Sequence, residues 1–342
     1  MRTILPSLAC LLPLSSYSLP VTAAVLNARP IVVNNAAFNV SSPPDLLRSD
    51  NLVDTIDPTN IQISSRYRET KLPSTPVLMT AVDVMVRLSL QDWDTKFSKE
   101  AFFMDSPRFS QVEFFFSPPD PRGQLDISFA VLGLFGAMNS VLTDPARRFR
   151  ESSHSIFYNR RDVGFIEIRK KGRRPDPLLN LGEQQASRMH GANATIALSA
   201  PAWEDSRLKI NLIRGYDVLT IYEVFYSAYA LIKTTAVFAA RQPRNARMTD
   251  FSDSVDAPPI TIRNHPIVAS FRSYDNPPRT QRNPPYFQPK WLIKALGRLP
   301  QIIMQTRDFK EIYDMTMEVD GVKVGSAYIV RKQTGMDGVD TT

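Results

Sequence analysis

Asp162-Val163-Gly164-Phe165-Ile166-Glu167-Ile168-Arg169-Lys170 has a counterpart far downstream, Lys323-Val324-Gly325-Ser326-Ala327-Tyr328-Ile329-Val330-Arg331-Lys332. Each stretch carries a Val-Gly pair, a β-prone run and a basic end. Each closes a strand-turn-strand pattern that opens on an aromatic-basic-acidic triplet, Phe149-Arg150-Glu151 and Phe309-Lys310-Glu311. The offset is 160 at the phenylalanines and 161 at the Val-Gly pairs. Self-similarity at a nearly fixed offset is the mark of a repeated unit, and it decides the expected fold. Further upstream, Pro118-Pro119 follows the aromatic run 112–116 as Pro277-Pro278 follows 267–274, at an offset of 159. Thr80-Ala81-Val82-Asp83-Val84 matches Thr220-Ile221-Tyr222-Glu223-Val224, and Ile61-Gln62-Ile63 matches Leu208-Lys209-Ile210.

Each half then reads strand, helix, strand, helix, strand, strand and ends in a β-hairpin. The expected fold class is mixed α/β in two related halves, with α+β as the alternative. A strand-helix-strand unit favours parallel pairing through a crossover, so the expected sheets are parallel with an antiparallel hairpin at the edge. In the first half Thr75 is placed to cap a helix with Pro76 at its first position. Leu78, Ala81, Val82 and Met85 then form an apolar face, while Asp83 and Arg87 pair four residues apart. In the second half Asp217 is placed to cap a helix from Val218, with Tyr222, Phe225, Tyr226 and Tyr229 along one face. Gly297 and Pro300 are expected to bend or shorten the last helix. Hairpin turns are expected around Asn159-Arg160-Arg161 and at Asp320-Gly321.

The N-terminus reads as a cleaved signal peptide, residues 1–23. Arg2 is the only charge before Arg29, the apolar run is short, and small residues at 21–24 offer a cleavage site near Ala23. The only cysteine, Cys10, lies in that segment, so the mature chain would lack thiol chemistry and zinc ribbons. Asn39-Val40-Ser41 and Asn193-Ala194-Thr195 are glycosylation sequons at Asn39 and Asn193. An extended arm is expected at 24–60, the first α/β half at 61–171, a linker at 172–192, the second half at 193–332 and a flexible tail at 333–342. The uncharged stretch 127–143 is short for a span, and its downstream counterpart carries Lys290, Lys294 and Arg298. The stretch 127–143 and the longer stretch 218–240, which contains Glu223 and Lys233, both read as buried helices, so no transmembrane segment is expected after cleavage.

The net charge of +7 is concentrated. Between residues 145 and 174 stand Arg147, Arg148, Arg150, Arg160, Arg161, Arg169, Lys170, Lys171, Arg173 and Arg174, opposed by Glu151, Asp162 and Glu167. Ten cations against three anions equal the excess of the whole chain. Three readings compete: a solvated hairpin and linker, a surface for polyanions such as acidic glycans or anionic head groups, and dibasic processing in the linker. Nucleic acid is the weakest target, since no recognition motif accompanies the charge.

Catalytic signals are sparse. His154, His190 and His265 fit no local metal-ligand spacing, and the sequence has no nucleophile elbow, phosphate-binding loop or dinucleotide fingerprint, so neither metal nor cofactor is expected. Gly133-Leu134-Phe135-Gly136 reads as a packing notch, and Asp92-Trp93-Asp94 as a helix terminus. The leading expectation is a secreted, non-enzymatic binding protein. The alternative is an extracellular hydrolase whose carboxylates meet only in the fold. Oligomeric state is left open.

Overall fold

The computed structural model describes residues 56–93, 95–97, 102–120, 123–173, 200–241, 247–248, 251–255, 267–274 and 285–331. In chain order come β1 (Ile61–Lys71), α1 (Ser74–Ser89), β2 (Lys96–Phe97), β3 (Phe102–Asp105), β4 (Val112–Ser117), β5 (Leu125–Asp126), α2 (Ile127–Thr143), β6 (Arg150–Tyr158) and β7 (Arg161–Lys170). Then follow β8 (Leu208–Val218), α3 (Ile221–Ala240), β9 (Phe251–Val255), β10 (Ile267–Ser273), α4 (Pro289–Thr306), β11 (Lys310–Val319) and β12 (Val322–Arg331). The fold is mixed α/β, with four helices and three antiparallel sheets among the described residues. The larger sheets run β1-β6-β7-β4-β3 and β8-β11-β12-β10-β9, and β2 pairs with β5.

The expected parallel pairing is overturned: every strand pair among the described residues is antiparallel. The β6–β7 hairpin inserts between β1 and β4, so a helix never joins neighbouring strands of the same direction. Each sheet also has one strand more than the sequence pattern gave, the edge strands β3 and β9. β3 is only four residues long, too short for its alternation to stand out.

Burial follows from patterning. α1 and α2 are apolar almost all round, and such helices must lie between layers. Indeed α1 and α2 pack on the first sheet, α4 packs on β8 and β11 of the second, and α3 meets β9; the four helices pack on one another. One hydrophobic core runs through both halves, from Phe114, Ile156 and Ile166 to Trp203, Phe225, Phe271 and Met315. Gly133 and Gly136 are the expected notch. A Cβ at Gly133 would meet Ile156 Cδ1 at 2.3 Å, and one at Gly136 would meet Ile63 Cγ1 at 2.5 Å. Glycine thus lets α2 settle onto β1 and β6.

Helix starts differ from the sequence reading. α1 begins after Pro73 with no side-chain cap, so Thr75 lies inside the helix. Asp217 remains in β8, whose pairing with β11 extends to Val218. The cap of α3 is Thr220, in a reciprocal box: Glu223 N–H donates to Thr220 Oγ1 (3.2 Å) and Thr220 N–H to Glu223 Oε2 (2.6 Å). Pro300 does not shorten α4, which continues to Thr306. The Asp83–Arg87 pair forms at 3.1 Å, with Asp83 fully buried. Both hairpin turns place two residues at positive φ, Asn159 and Arg160 in one and Asp320 and Gly321 in the other. The end of the expected arm is ordered: Asp57 caps a short 3-10 turn, Pro58–Asn60, and Ile56 packs on the core. The signal segment, residues 174–192 of the linker and residues 333–342 of the tail lie outside the described residues.

Candidate functional site

The basic run does not form one patch, because β6 and β7 fold it back on itself. Arg160 and Arg161 sit at the hairpin turn, while Arg147, Arg148, Arg150, Lys170, Lys171 and Arg173 lie at the opposite end of the same two strands. About eight residues at ~3.3 Å each separate the two groups, roughly 26 Å. Arg174, Asn39 and Asn193 lie outside the described residues.

Arg169 faces away from solvent. The β4–β7 register sets it opposite Glu113, on the outer face of the first sheet. Its Nε donates to Glu113 Oε1 at 2.7 Å and its Nη1 to Glu167 Oε2 at 3.3 Å, while Arg68 Nη2 donates to Glu167 Oε1 at 2.9 Å. Arg169 is 2 % exposed and Glu167 1 %. A charge held this way is committed to its partners, so Arg169 leaves the set that can meet a ligand. Lys171 pairs with Asp105 and Arg173 with Glu151, both near the surface. Arg173 also donates to Thr70 Oγ1 at 2.9 Å. Lys170 is exposed.

The remaining cations gather at the corner between α2 and β6. Here Leu72 N–H donates to the Phe149 carbonyl at 2.7 Å, and Phe149 is held at φ 55°, a left-handed conformation costly for a bulky residue. Lys71 stands directly across from Arg150 in the β1–β6 register, so both project from one face of the sheet. The Arg148 guanidinium lies 4.4 Å from the centre of the Tyr222 ring on α3, and Phe149 also packs on that ring at 6.1 Å. Arg147 lies over Tyr67 at 5.6 Å and pairs with Asp144 at 3.6 Å. The Nε atoms of Arg148 and Arg150 are buried and make no hydrogen bond. Neither arginine, nor Lys71, has an ion pair among the described residues. Lys71 and Tyr222 were invisible as site residues because they join the corner only through strand register and helix packing.

Of the groups that sequence reading kept in view for catalysis, His154 and Asp92 lie among the described residues. His154 is fully buried, with Ser65 Oγ 2.8 Å from Nδ1 and Ser152 Oγ 2.9 Å from Nε2. Burial drives its pKa down to about 3, and two hydroxyls occupy the ring nitrogens where a catalytic pair would need a carboxylate. Burial also raises Asp83, which accepts from Ala202 N–H at 2.6 Å and from Arg87, tying the chain near Trp203 to α1. His190, His265 and Asp94 lie outside the described residues. Among the described residues no cluster of three metal-ligating side chains occurs, and no helix is long and apolar enough to cross a membrane. A groove of about 210 Å³ between α1 and α4 is lined mainly by Met79, Phe109, Trp203 and Met304, with Arg108, Gln301 and Gln305 at its edge. Ile213, Tyr216 and Val218 are exposed along β8. No protein-family model matches the chain, and neither a curated protein nor a solved structure matches it.

Proposed function

We propose that this chain is an exported, non-enzymatic binding protein that engages polyanions, such as acidic glycans or anionic surfaces, through the α2–β6 corner of its first half. The observation that carries the reading is the position of Lys71 opposite Arg150, with Arg147, Arg148 and Lys170 at the same end of the sheet. Like charges set across from each other repel, and an external anion relieves that repulsion. Lys171 and Arg173 flank this end, but each already has a carboxylate.

The two halves are, on this proposal, copies of one unit. Matching β1 to β8, β3 to β9, β4 to β10, β6 to β11 and β7 to β12 turns one strand order into the other. Five residues of the first strand span three of its partner in both sheets, Tyr67 to Lys71 against Ser152 to Arg150 and Arg214 to Val218 against Ile312 to Lys310. Leu219 N–H donates to the Phe309 carbonyl at 2.7 Å, as Leu72 does to Phe149. Glu151 accepts from Lys170 N–H at 3.1 Å, and Glu311 from Arg331 N–H at 2.6 Å. This matching moves the α1–α3 correspondence: Leu72 aligns with Leu219, so Thr80 falls beside Ser227 and not Thr220.

The test is retention of the secreted protein on acidic polysaccharide, neutral polysaccharide and anionic-lipid supports across a salt gradient. A variant with Lys71, Arg147, Arg150 and Lys170 changed to Ser keeps the buried Arg169 and the paired Lys171 and Arg173. Salt-sensitive retention on acidic supports that this variant loses supports the reading, because each lost cation removes a screened attraction. Equal retention of both proteins, or none on any acidic support, refutes it.

A further inference from the structure

We infer that the α2–β6 corner holds one tetrahedral oxyanion, a phosphate or sulfate group, between Lys71, Arg148 and Arg150. This rests on the polyanion reading and narrows it to the group recognised. Arg150 is half-buried, yet its guanidinium has no hydrogen bond, ion pair or ring contact among the described residues. A buried N–H without an acceptor is unfavourable, and an arginine so placed, with its outer nitrogens open to solvent, is poised to take an anion. Arg148 is fixed on Tyr222 with its own Nε buried and unbonded. Lys71 adds a third cation across the strand pair. Asp144 at this corner is engaged by Arg147 and by Ala146 N–H at 3.0 Å, and Glu151, beside Arg150, by Arg173 and by Lys170 N–H at 3.1 Å.

The second half supplies an internal control. Phe149-Arg150-Glu151 corresponds to Phe309-Lys310-Glu311, so Asp308 stands where the first half has Arg148, and Val218 where it has Lys71. The Asp308 carboxylate lies 3.8 Å from Arg214 Nε and 4.0 Å from Lys310 Nζ. That corner therefore contains its own anion. The first corner has exchanged the anion for an arginine and an apolar residue for a lysine, and its balance must come from outside the chain. A phosphate or sulfate offers three oxygens to three donors on two strands and a loop, whereas a carboxylate offers two.

The experiment titrates the full secreted chain with sodium phosphate, sodium sulfate or sodium acetate at ionic strength held constant with sodium chloride. Melting temperature and calorimetric heats are read. Phosphate or sulfate should raise the melting temperature by at least about 2 °C over chloride and acetate. Arg150→Gln should weaken the binding at least about tenfold. Arg148→Asp, which writes the second corner's chemistry into the first, should abolish the response without lowering the melting temperature in chloride. An equal response to all salts overturns the inference, as does an Arg148→Asp protein that still binds phosphate. Polyanion retention without any phosphate or sulfate response sinks the oxyanion site and leaves the broader reading standing. A phosphate response without polymer retention does the reverse.

Discussion

Removing the guanidinium of Arg169 tests whether the basic run is one functional surface or two differently used segments. In Arg169→Met the side-chain volume is nearly kept, but Glu113 and Glu167 lose their donor inside the outer face of the first sheet. Glu167 keeps Arg68 at 2.9 Å, whereas Glu113, 8 % exposed, loses the 2.7 Å bond to Arg169 Nε. Breaking a buried pair from one side costs about 3–5 kcal/mol, because the stranded charge remains out of water. At roughly 2 °C per kcal/mol for a chain of this size, the melting temperature should fall by ~6–10 °C. Urea unfolding followed by tryptophan fluorescence gives the free energy independently. Adding Glu113→Gln to Arg169→Gln should recover at least about 1 kcal/mol, the coupling expected between contacting partners. Retention on acidic polysaccharide, measured below the transition, should be unchanged. A loss of stability under about 1 kcal/mol, or a folded Arg169→Met protein that no longer binds the polymer, would refute the assignment of Arg169 to structure.

Burial of neutral His154 makes stability depend on acid. Its folded pKa of about 3 lies below the ordinary 6.5, so the unfolded chain binds the proton first and stability is lost as pH falls from 6.5 toward 3. The loss reaches about 2 kcal/mol at pH 5. Burial raises Asp83 and Glu311, which opposes this trend, so the measurement is the difference in slope between wild type and His154→Asn; parallel curves count against the assignment. Arg160 sits at φ 66° with an exposed side chain, so Arg160→Gly should stabilise the hairpin by about 1 kcal/mol in chemical denaturation. Thr220→Ala removes the cap of α3 and should cost about 1 kcal/mol, while Thr75→Ala, inside α1, should fall within about 0.5 kcal/mol of wild type. Equal losses at the two positions would contradict the observed helix starts.

Much of the architecture was legible because periodicity reports burial. Val112 to Ser117 is buried at every position, and it reads as an uninterrupted β-prone run in the chain. The Asp320-Gly321 turn was legible because glycine at positive φ leaves a chemical signature. Strand direction was not legible, since a helix between two strands favours a parallel neighbour only when no hairpin takes that place. The β6–β7 hairpin does so, and nothing in residues 150–170 states which strands will flank it. The cap of α3 was misplaced for a similar reason. Asp217 is a good cap residue by type, but pairing of Val218 with Lys310 keeps it in the sheet, leaving Thr220 and Glu223 to form the box.

Charge is the property that linear reading handles worst, because a hairpin reverses sequence proximity within two residues. Arg160 and Lys170 are ten apart in the chain and stand at opposite ends of β7. Arg169 and Lys170 are adjacent, yet the two-residue period turns one onto Glu113 and leaves the other in solvent. The difference between the two corners was present in the sequence, one step before each phenylalanine, as Arg148 and Asp308. It acquires meaning only when register sets Lys71 against Arg150 and packing lays Arg148 on Tyr222. A carboxylate at that step closes the second corner on itself. An arginine at the same step, with Lys71 where the second corner has Val218, leaves Lys71, Arg148 and Arg150 together with no ion pair of their own among the described residues.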